Sequence, residues 1–445
     1  MTAQALSACL RAIGTAALYA RDGAVRQVSG LAVTCSGPDA SLGELCRISP
    51  QAGGAGILAE VVGVRPDGVV LMPYGRLDGV AAGSRVTTAG VSDRVPVGPA
   101  LLGRVVNAFG EALDDGPPIA AQAMVPLKPA PVNPLRRKPI DMPLETGVRA
   151  IDALLPLGQG QRVGIFAGSG VGKSTLLGML ARGVRADVNV IALIGERGRE
   201  VRDFIERQLG PDALARSVVV VATSDEPALM RARATYAALA ISEYFRDQGR
   251  DVFLTMDSVT RYAMARREIG LAAGEPPTAR GYTPTVFSEI PELCERCGRV
   301  EAGGSISAVF TVLVEGDDFN EPIADSLRAT LDGHIVLSRD LAHRGHYPAI
   351  DVLRSASRLV KELTTRQERE LMRQASASLA LLERNRQMVD IGAYQSGANP
   401  ALDAALAMAP RLDAWLRQDA DAPESRAQAY AALAAILGRQ EEDGV

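Results

Sequence analysis

The sequence has few of the residues that build disulfide scaffolds, zinc sites or stacking surfaces. Its 445 residues include five cysteines, three histidines, one tryptophan and only 4% aromatic residues. So few cysteines cannot cross-link a chain of this length, which is typical of proteins in a reducing compartment. Cys294 and Cys297 form a Cys-x-x-Cys pair that would suit half a zinc site or a redox couple. No second pair and no neighbouring histidine completes four ligands, so we interpret both as small apolar residues on a helix.

The sequence also lacks an excess of one charge and any long apolar run. Forty-eight basic residues nearly balance fifty-two acidic ones, so no global positive field attracts nucleic acid or an anionic membrane. No run approaches the roughly 20 apolar residues that cross a bilayer, and the N-terminus lacks the features of a secretory signal. With 47% apolar residues, the chain has enough to bury the cores of two or three domains. We therefore expect a cytoplasmic globular protein that binds no nucleic acid.

Hydrophobic spacing changes along the N-terminal part of the chain. Residues 5–19 have the spacing of an amphipathic helix, which either docks a partner or packs on its own domain. Short β-rich runs separated by glycine and proline turns follow from about residue 25 to residue 88, and they predict a small β-barrel. Tyr19 and Tyr74 are the only aromatic residues before residue 100. A barrel that binds single-stranded nucleic acid needs more stacking surface than these residues supply.

The rest of the chain predicts an α/β domain followed by helices. A proline-rich connector at residues 126–143 leads into a region, 147–358, where apolar β runs alternate with helical segments. Such alternation is typical of a mostly parallel sheet covered by helices. After about residue 360 only helical segments and a polar end at 440–445 remain. The predicted domains are residues 1–95, 96–360 and 361–445, and the predicted strands of the sheet are 162–166, 188–194, 218–221, 252–256, 306–314 and 334–337.

Residues 167–174, Ala-Gly-Ser-Gly-Val-Gly-Lys-Ser, have the composition of a phosphate-binding loop. They lie between a predicted strand and a predicted helix, which is the context this motif requires. Its glycines let successive backbone N–H groups face phosphate oxygens at a helix N-terminus. The strict pattern opens with glycine, and Ala167 is tolerated there if it keeps a negative φ. We predict ATP binding by Gly168, Ser169, Gly170, Val171, Gly172, Lys173, Ser174 and Thr175, with Lys173 on the β- and γ-phosphates and Ser174 on Mg²⁺.

Two carboxylates follow later strands of the predicted sheet. Asp257 ends an apolar strand, as expected of the aspartate that holds magnesium, usually through its water. Glu196 follows the strand that ends at residue 194, at the carboxyl edge where α/β sites form. If Glu196 lies within hydrogen-bond reach of a water it can polarise that water for attack. The alternative for Glu196 is a solvated loop charge.

In this order, these motifs resemble the catalytic subunits of the rotary ATPases and of their relatives that energise type III protein export. Residues 348–357, Pro-Ala-Ile-Asp-Val-Leu-Arg-Ser-Ala-Ser, are similar to a signature shared by the α and β subunits of proton-translocating synthases. The segments 195–201, 244–249, 256–261 and 314–322 are similar to export ATPases, and synthase subunits differ at the last one. The loop at 167–174 together with residues 225–230 favours the flagellar branch over the virulence branch.

The resemblance implies a homohexamer with nucleotide at each subunit interface. One subunit would supply Lys173, Ser174, Glu196, Arg197 and Asp257, and Arg358 of the neighbouring copy would act as an arginine finger. Arg261 would lie near the phosphates, and Tyr347 would pack against adenine, although it could equally be a core residue. For Arg358 the alternative is a surface salt bridge.

The resemblance also implies partners and a location. The barrel would form a collar that holds the ring together, and the C-terminal helices would face chaperone–substrate complexes. Further partners would be a stator or regulator protein, a stalk protein and the export gate, through which the enzyme would associate with the cytoplasmic face of the inner membrane. Three alternatives stay open: a virulence export ATPase, a synthase-like or non-catalytic ring subunit, and a hexameric RNA translocase. Glu196 counts against the non-catalytic subunit, because the synthase α subunits have glutamine there.

Overall fold

The computed structural model describes residues 22–438, apart from residues 52, 91–92, 315, 317 and 320. Its described residues form two compact units. One contains residues up to 93 together with 227–229 and 267–276, and the other contains 94–226, 230–266 and the chain from 277 onward. The predicted helix at 5–19 and the polar end at 440–445 lie outside the described residues, and the predicted division into three domains stays a prediction.

The first unit contains a closed antiparallel barrel, which confirms the predicted small β-barrel. The strands are connected in the order β1-β2-β5-β4-β3-β6. Alternate side chains point inward, and the enclosed core includes Val33, Ile48 and Leu71. Closure leaves no strand edge unpaired, so short strands suffice. The strands are β1 Gly23–Ser29, β2 Ala32–Cys35, β3 Leu45–Ile48, β4 Ile57–Arg65, β5 Gly68–Pro73 and β6 Arg85–Gly90.

The second unit is built on a nine-stranded, mostly parallel sheet, as predicted. Its strand order is β19-β18-β12-β17-β15-β13-β14-β8, with β16 paired to β17; only β19 and β16 run antiparallel to their neighbours. Every residue of the central strand β13 is buried, as expected when helices cover both faces. The sheet strands are β8 Arg104–Val106, β12 Arg162–Ala167, β13 Val188–Ile194, β14 Ser217–Ala222, β15 Asp251–Asp257, β16 Gly298–Arg299, β17 Ser305–Leu313, β18 Gly333–Leu337 and β19 Ile350–Ser357.

Two small pairs of strands lie outside this sheet. They are β7 Arg94–Val97 with β9 Ala123–Pro126, and β10 Pro143–Leu144 with β11 Leu157–Gly158. Phe204–Leu209 form a π-helical turn between α3 and α4, and Gly210 after this turn has a non-helical φ of 72°. The helices that accompany the strands are α1 Arg149–Leu154, α2 Lys173–Gly183, α3 Gly198–Asp203, α4 Gly210–Ala215, α5 Ala228–Asp247, α6 Val259–Ala273, α7 Pro284–Glu295, α8 Pro322–Thr330, α9 Arg339–His343 and α10 Val360–Leu363.

The interpretation of the cysteine pair was half wrong. Cys294 lies in the last turn of α7, but Cys297 lies beyond the end of that helix. The helix ends at Glu295, and Gly298, with φ of 123°, already begins the strand β16. Both thiols are free and buried, and burial raises the pKa of Cys294 and Cys297, the latter to about 12. In the described part of the chain no cluster of three metal-ligating side chains was found.

The described chain after α10 is helical, as predicted, with α11 Arg366–Asp390, α12 Pro400–Leu416 and α13 Arg426–Ile436. Thr365 and Ser425 each close a capping box at a helix start, and the Asn399 side chain caps α12. Apolar residues of these helices, including Leu371, Trp415 and Leu433, join the core beneath α1 and α2. None of the helices that the structure describes is long and apolar enough to span a bilayer.

Candidate active site

The glycine-rich loop connects the interior sheet strand β12 to α2. Ala167 ends the strand and Lys173 begins the helix. Gly170 and Gly172 have φ values of 77° and 90°, which a residue with a side chain rarely adopts. Ala167 avoids that region, because Arg280 is the only described non-glycine residue with positive φ. Thr175 and the exposed Ser174 lie on the first turn of α2, so the loop has the backbone geometry of an anion-binding site.

Three charged side chains meet beside this loop. The Lys173 Nζ lies 3.2 Å from Glu196 Oε1 and also contacts Asp257 Oδ1. Lys173, Glu196 and Asp257 have side chains that are only 12%, 15% and 4% exposed, so their charges act with little solvent screening. Each residue follows or ends a parallel strand, β12, β13 or β15, and the carboxyl ends of these strands and of β17, which lies between β12 and β15, form one edge of the sheet.

Burial and mutual charge shift the pKa values in this cluster. Burial by itself would lower the pKa of Lys173, but the carboxylates of Asp257 and Glu196 outweigh it, so the pKa of Lys173 is raised above its ordinary value. Burial and the Asp257 charge raise the pKa of Glu196. A lysine that remains charged suits binding of phosphate, and a glutamate with a raised pKa accepts a proton more readily from a water.

Residues in the phosphate loop and in two distant parts of the chain form a cleft at the start of α2. A side chain on Gly172 would place its Cβ 3.3 Å from two ring carbons of Tyr347, so the ring stands directly against the loop. The cleft has a volume of about 420 Å³ and is lined by Gly172, Thr175, Tyr347 and Pro348 together with residues 417–420 and 422 from beyond α12. Its size and its position beside an anion-binding loop suit a nucleoside.

Gln418, which belongs to no motif of the sequence, connects the segments that form this cleft. Its backbone N–H donates to the carbonyl of Tyr347 at 3.0 Å. Its buried amide accepts from the N–H of Arg149 at 2.9 Å and donates to the carbonyls of Gly147 at 2.8 Å and Ala422 at 2.7 Å. The Gln418 side chain therefore links the segment after α12 to the start of α1, and its backbone N–H links the same segment to the Tyr347 loop.

Two further predicted arginines lie near the carboxyl edge without joining the charged cluster. Arg197 is the N-cap of α3, and its largely exposed side chain pairs with Glu200 at 3.6 Å. Arg261 lies on α6, and its side chain packs against Gly195. A Cβ added to Gly195 would lie 2.9 Å from the Cβ of Arg261. The contacts found in the described chain therefore unite Lys173, Glu196 and Asp257 but not the arginines.

Arg358 lies far from the charged cluster of its own chain. It follows β19, which runs antiparallel to β18, so it lies at the amino edge of the parallel strands. The backbone N–H of Arg358 donates to the carbonyl of Asp332. The backbone N–H of Asp332 in turn donates to the carbonyl of Arg162, at the start of β12. Six residues of β12 separate that point from the loop, a distance of roughly 20 Å. Arg358 is therefore too far from the charged cluster of its own chain to contact it.

The arrangement suits magnesium as well as phosphate. Ser174 offers a hydroxyl on the first turn of α2, and Asp257 offers a carboxylate directly across from Lys173. Oxygen ligands of this kind, completed by waters and phosphate oxygens, are those that Mg²⁺ prefers. The residues thus fit a metal–nucleotide complex.

Family models match three consecutive parts of the chain. Residues 25–90 match the β-barrel domain of the ATP synthase alpha/beta family, and residues 147–357 match its nucleotide-binding domain. Residues 364–435 match the C-terminal domain of the type III secretion ATPase EscN.

Individual relatives are similar over nearly the whole chain. A flagellum-specific ATP synthase of Bacillus subtilis is 49% identical and covers 99% of this chain and 100% of its own. A type 3 secretion system ATPase of Xanthomonas euvesicatoria is 48% identical over 94% of both chains. Among solved structures, the assembled ATPase EscN of enteropathogenic E. coli is 41% identical with a TM-score of 0.89, covering 94% of this chain and 100% of that one.

Proposed function

The chain belongs to the ATP synthase alpha/beta family and is an ATPase, and we propose that it hydrolyses Mg-ATP to drive or assist type III export of flagellar proteins. The observation that carries the proposal is the meeting of Lys173, Glu196 and Asp257 beside the glycine loop. These residues supply a cation for phosphate, a base for water and an oxygen ligand for the metal. The flagellar assignment is supported by flagellum-specific relatives that are 49% and 53% identical.

Each residue then has a defined task. The N–H groups of the loop and the Lys173 ammonium hold the β- and γ-phosphates, while Tyr347 packs against the base. When bound, Mg²⁺ offsets charge on the phosphates, and Ser174 and Asp257 are the side chains that would hold it. Glu196 orients the attacking water and draws its proton. Arg197, the N-cap of α3, and Arg261, whose side chain lies beside Gly195, are the further cations that we assign to the phosphates.

We further propose that the active form is a homohexamer in which Arg358 completes the site of the adjacent copy. Two observations support this. Arg358 cannot reach the site of its own chain, and the similar protein EscN has been solved as an assembled ATPase and in complex with its central stalk EscO. The remaining proposed partners are a stalk protein, a stator or regulator protein, chaperone–substrate complexes and the export gate at the inner membrane.

Flagellar export should depend on Glu196. In a strain lacking this protein, the wild type should restore hook and filament protein to the culture supernatant, and Glu196→Gln should not, because an amide cannot take the proton of the attacking water. Supernatants are compared by immunoblot. Glu206→Gln, which changes an exposed glutamate paired with Arg202, should complement as well as the wild type does. Undisturbed flagellar export in the deletion strain would instead assign the chain to a virulence system or a synthase-like machine.

Replacing Gln418 with leucine should weaken ATP binding more than turnover. The substitution keeps the size but leaves the N–H of Arg149 without its partner, and an unpaired buried group costs about 1–3 kcal/mol. It also removes one of the two donors to the carbonyl of Gly147, which still accepts from Glu424. Because that strain falls on the segment facing Tyr347, we expect the KM for ATP to rise roughly tenfold with little change in kcat. Gln395→Leu, at an exposed position, is the control.

A competition experiment separates this effect from general damage to the fold. Inorganic tripolyphosphate occupies the loop but has no base to contact Tyr347, so its inhibition constant should be the same for Gln418→Leu and the wild type. An equal loss of affinity for ATP and for tripolyphosphate would contradict the assignment of Gln418 to the base side of the cleft.

A further inference from the structure

The carboxylate of Asp257 is held by the neighbouring strand as well as by Lys173. Thr311 on β17 is fully buried, and its hydroxyl lies 2.7 Å from Asp257 Oδ1 and 3.3 Å from the carbonyl oxygen of Met256. A threonine hydroxyl has one hydrogen to donate. The shorter contact and the charge of its acceptor favour donation to Asp257, because hydrogen bonds to carboxylates are the stronger kind.

Thr311 and Lys173 contact the same carboxylate oxygen. Lys173 Nζ and Thr311 Oγ1 both reach Oδ1 of Asp257. No hydrogen bond found in the described part of the chain ends on Oδ2, so this second oxygen remains for a ligand in the site. Two donors on one oxygen fix the rotation of the carboxylate about the Cβ–Cγ bond of Asp257.

Binding of a nucleotide changes which of these two donors holds Oδ1 of Asp257. Phosphate oxygens compete with Asp257 for the Lys173 ammonium, which sits on a flexible side chain and can turn toward them. Thr311 cannot follow, because β17 is paired to β15 on one side and to β12 on the other. After Lys173 has turned, the hydroxyl is the one donor of this pair that still holds Oδ1.

We propose that Thr311 is a positioning residue that keeps Oδ2 of Asp257 directed at the magnesium of Mg-ATP after Lys173 has turned to the phosphates. The inference rests on the proposed function, since it assigns Asp257 to the metal. Partners of this kind, which orient a metal ligand without touching the metal, typically change metal affinity 10–100-fold when removed. A purely structural role for Thr311 predicts a loss of stability and no change in metal affinity.

The experiment compares Thr311→Val with Thr311→Ser and Thr255→Val. Valine keeps the shape and removes the hydroxyl, whereas serine keeps the hydroxyl. Thr255 is a matched control, because it is a buried threonine of the adjacent strand β15 whose hydroxyl has no hydrogen-bond partner. Mn²⁺, a spectroscopic substitute for Mg²⁺, is titrated by electron paramagnetic resonance into full-length protein saturated with a non-hydrolysable ATP analogue. Binding of the same analogue is also measured in EDTA.

Thr311→Val should weaken Mn²⁺ binding roughly tenfold and leave the binding of the analogue in EDTA unchanged, while Thr311→Ser and Thr255→Val should both match the wild type. Wild-type metal affinity in Thr311→Val would overturn the inference, and so would equal losses in Thr311→Val and Thr255→Val. If Thr311→Val does not fold, Thr311→Ala against Thr311→Ser gives the same comparison. Wild-type protein that fails to hydrolyse Mg-ATP would refute the proposed function instead, so the two failures are distinct.

Discussion

Replacing Lys173 with alanine should reduce magnesium-dependent ATP hydrolysis by at least about 10²- to 10³-fold, the loss seen when one preorganised charge-stabilising group is removed from an active site. Lys173 is the cation that the structure places between Glu196 and Asp257, and no other lysine of the described residues forms an ion pair with either carboxylate. Without it, the two buried carboxylates face each other and the incoming phosphates, so like charges repel. The measurement is phosphate release at saturating Mg-ATP.

The matched control for this substitution is Lys361→Ala, which removes an exposed lysine from the same compact unit. It should retain wild-type turnover. Thermal unfolding of both variants shows whether the folded protein is present in the assay. A folded Lys173→Ala protein that turns over at the wild-type rate would contradict the assignment of the phosphate site.

Removing the Arg358 side chain should lower turnover by about 10³-fold or more, in line with the contribution of arginine fingers to phosphoryl transfer. Since Arg358 cannot reach the site of its own chain, Arg358→Ala subunits should remain able to bind ATP through their own loop. Arg366→Ala, which removes an exposed arginine at the start of α11, is the control for loss of positive charge. Turnover per subunit should also rise with protein concentration.

Mixing two inactive variants tests whether the finger acts between subunits. Lys173→Ala retains Arg358 and Arg358→Ala retains Lys173, so a mixed ring contains some interfaces with both residues and should regain activity. Lys173→Ala mixed with the Lys173→Ala, Arg358→Ala double variant contains no complete interface and should stay inactive. Activity of the first mixture that does not exceed the sum of its components would refute action in trans.

The barrel, the sheet and the C-terminal helices could be predicted because their patterns are local. Apolar runs that are buried on both faces, such as Val188–Ile194, are recognisable without knowing their neighbours. The glycine loop was recognisable for a related reason, since its required backbone geometry determines its composition. β19 was not predicted as a strand, because residues 348–357 were interpreted only as a family signature. The alternation between buried and less buried side chains that indicates a strand is present only in its first three residues.

Thr311 and Gln418 could not be found from the sequence, because their significance depends on distant partners. Thr311 looks like any threonine in a buried strand, and only the pairing of β15 with β17 brings it to Asp257, 54 positions away. Gln418 is 271 positions from Gly147, whose carbonyl it contacts. Neither residue type at either position belongs to a motif, so the tertiary structure supplied the information.

The three-residue strand β8 at the end of the sheet has a consequence for how the protein is made. It leaves the ribosome roughly a hundred residues before its partner β14, an interval of about 5–20 s at ordinary rates of translation. During that time its backbone groups have no strand to pair with, and such non-local pairing is slow to form. Because the strand is short, it offers little exposed backbone to other nascent chains while the rest of the sheet is being synthesised.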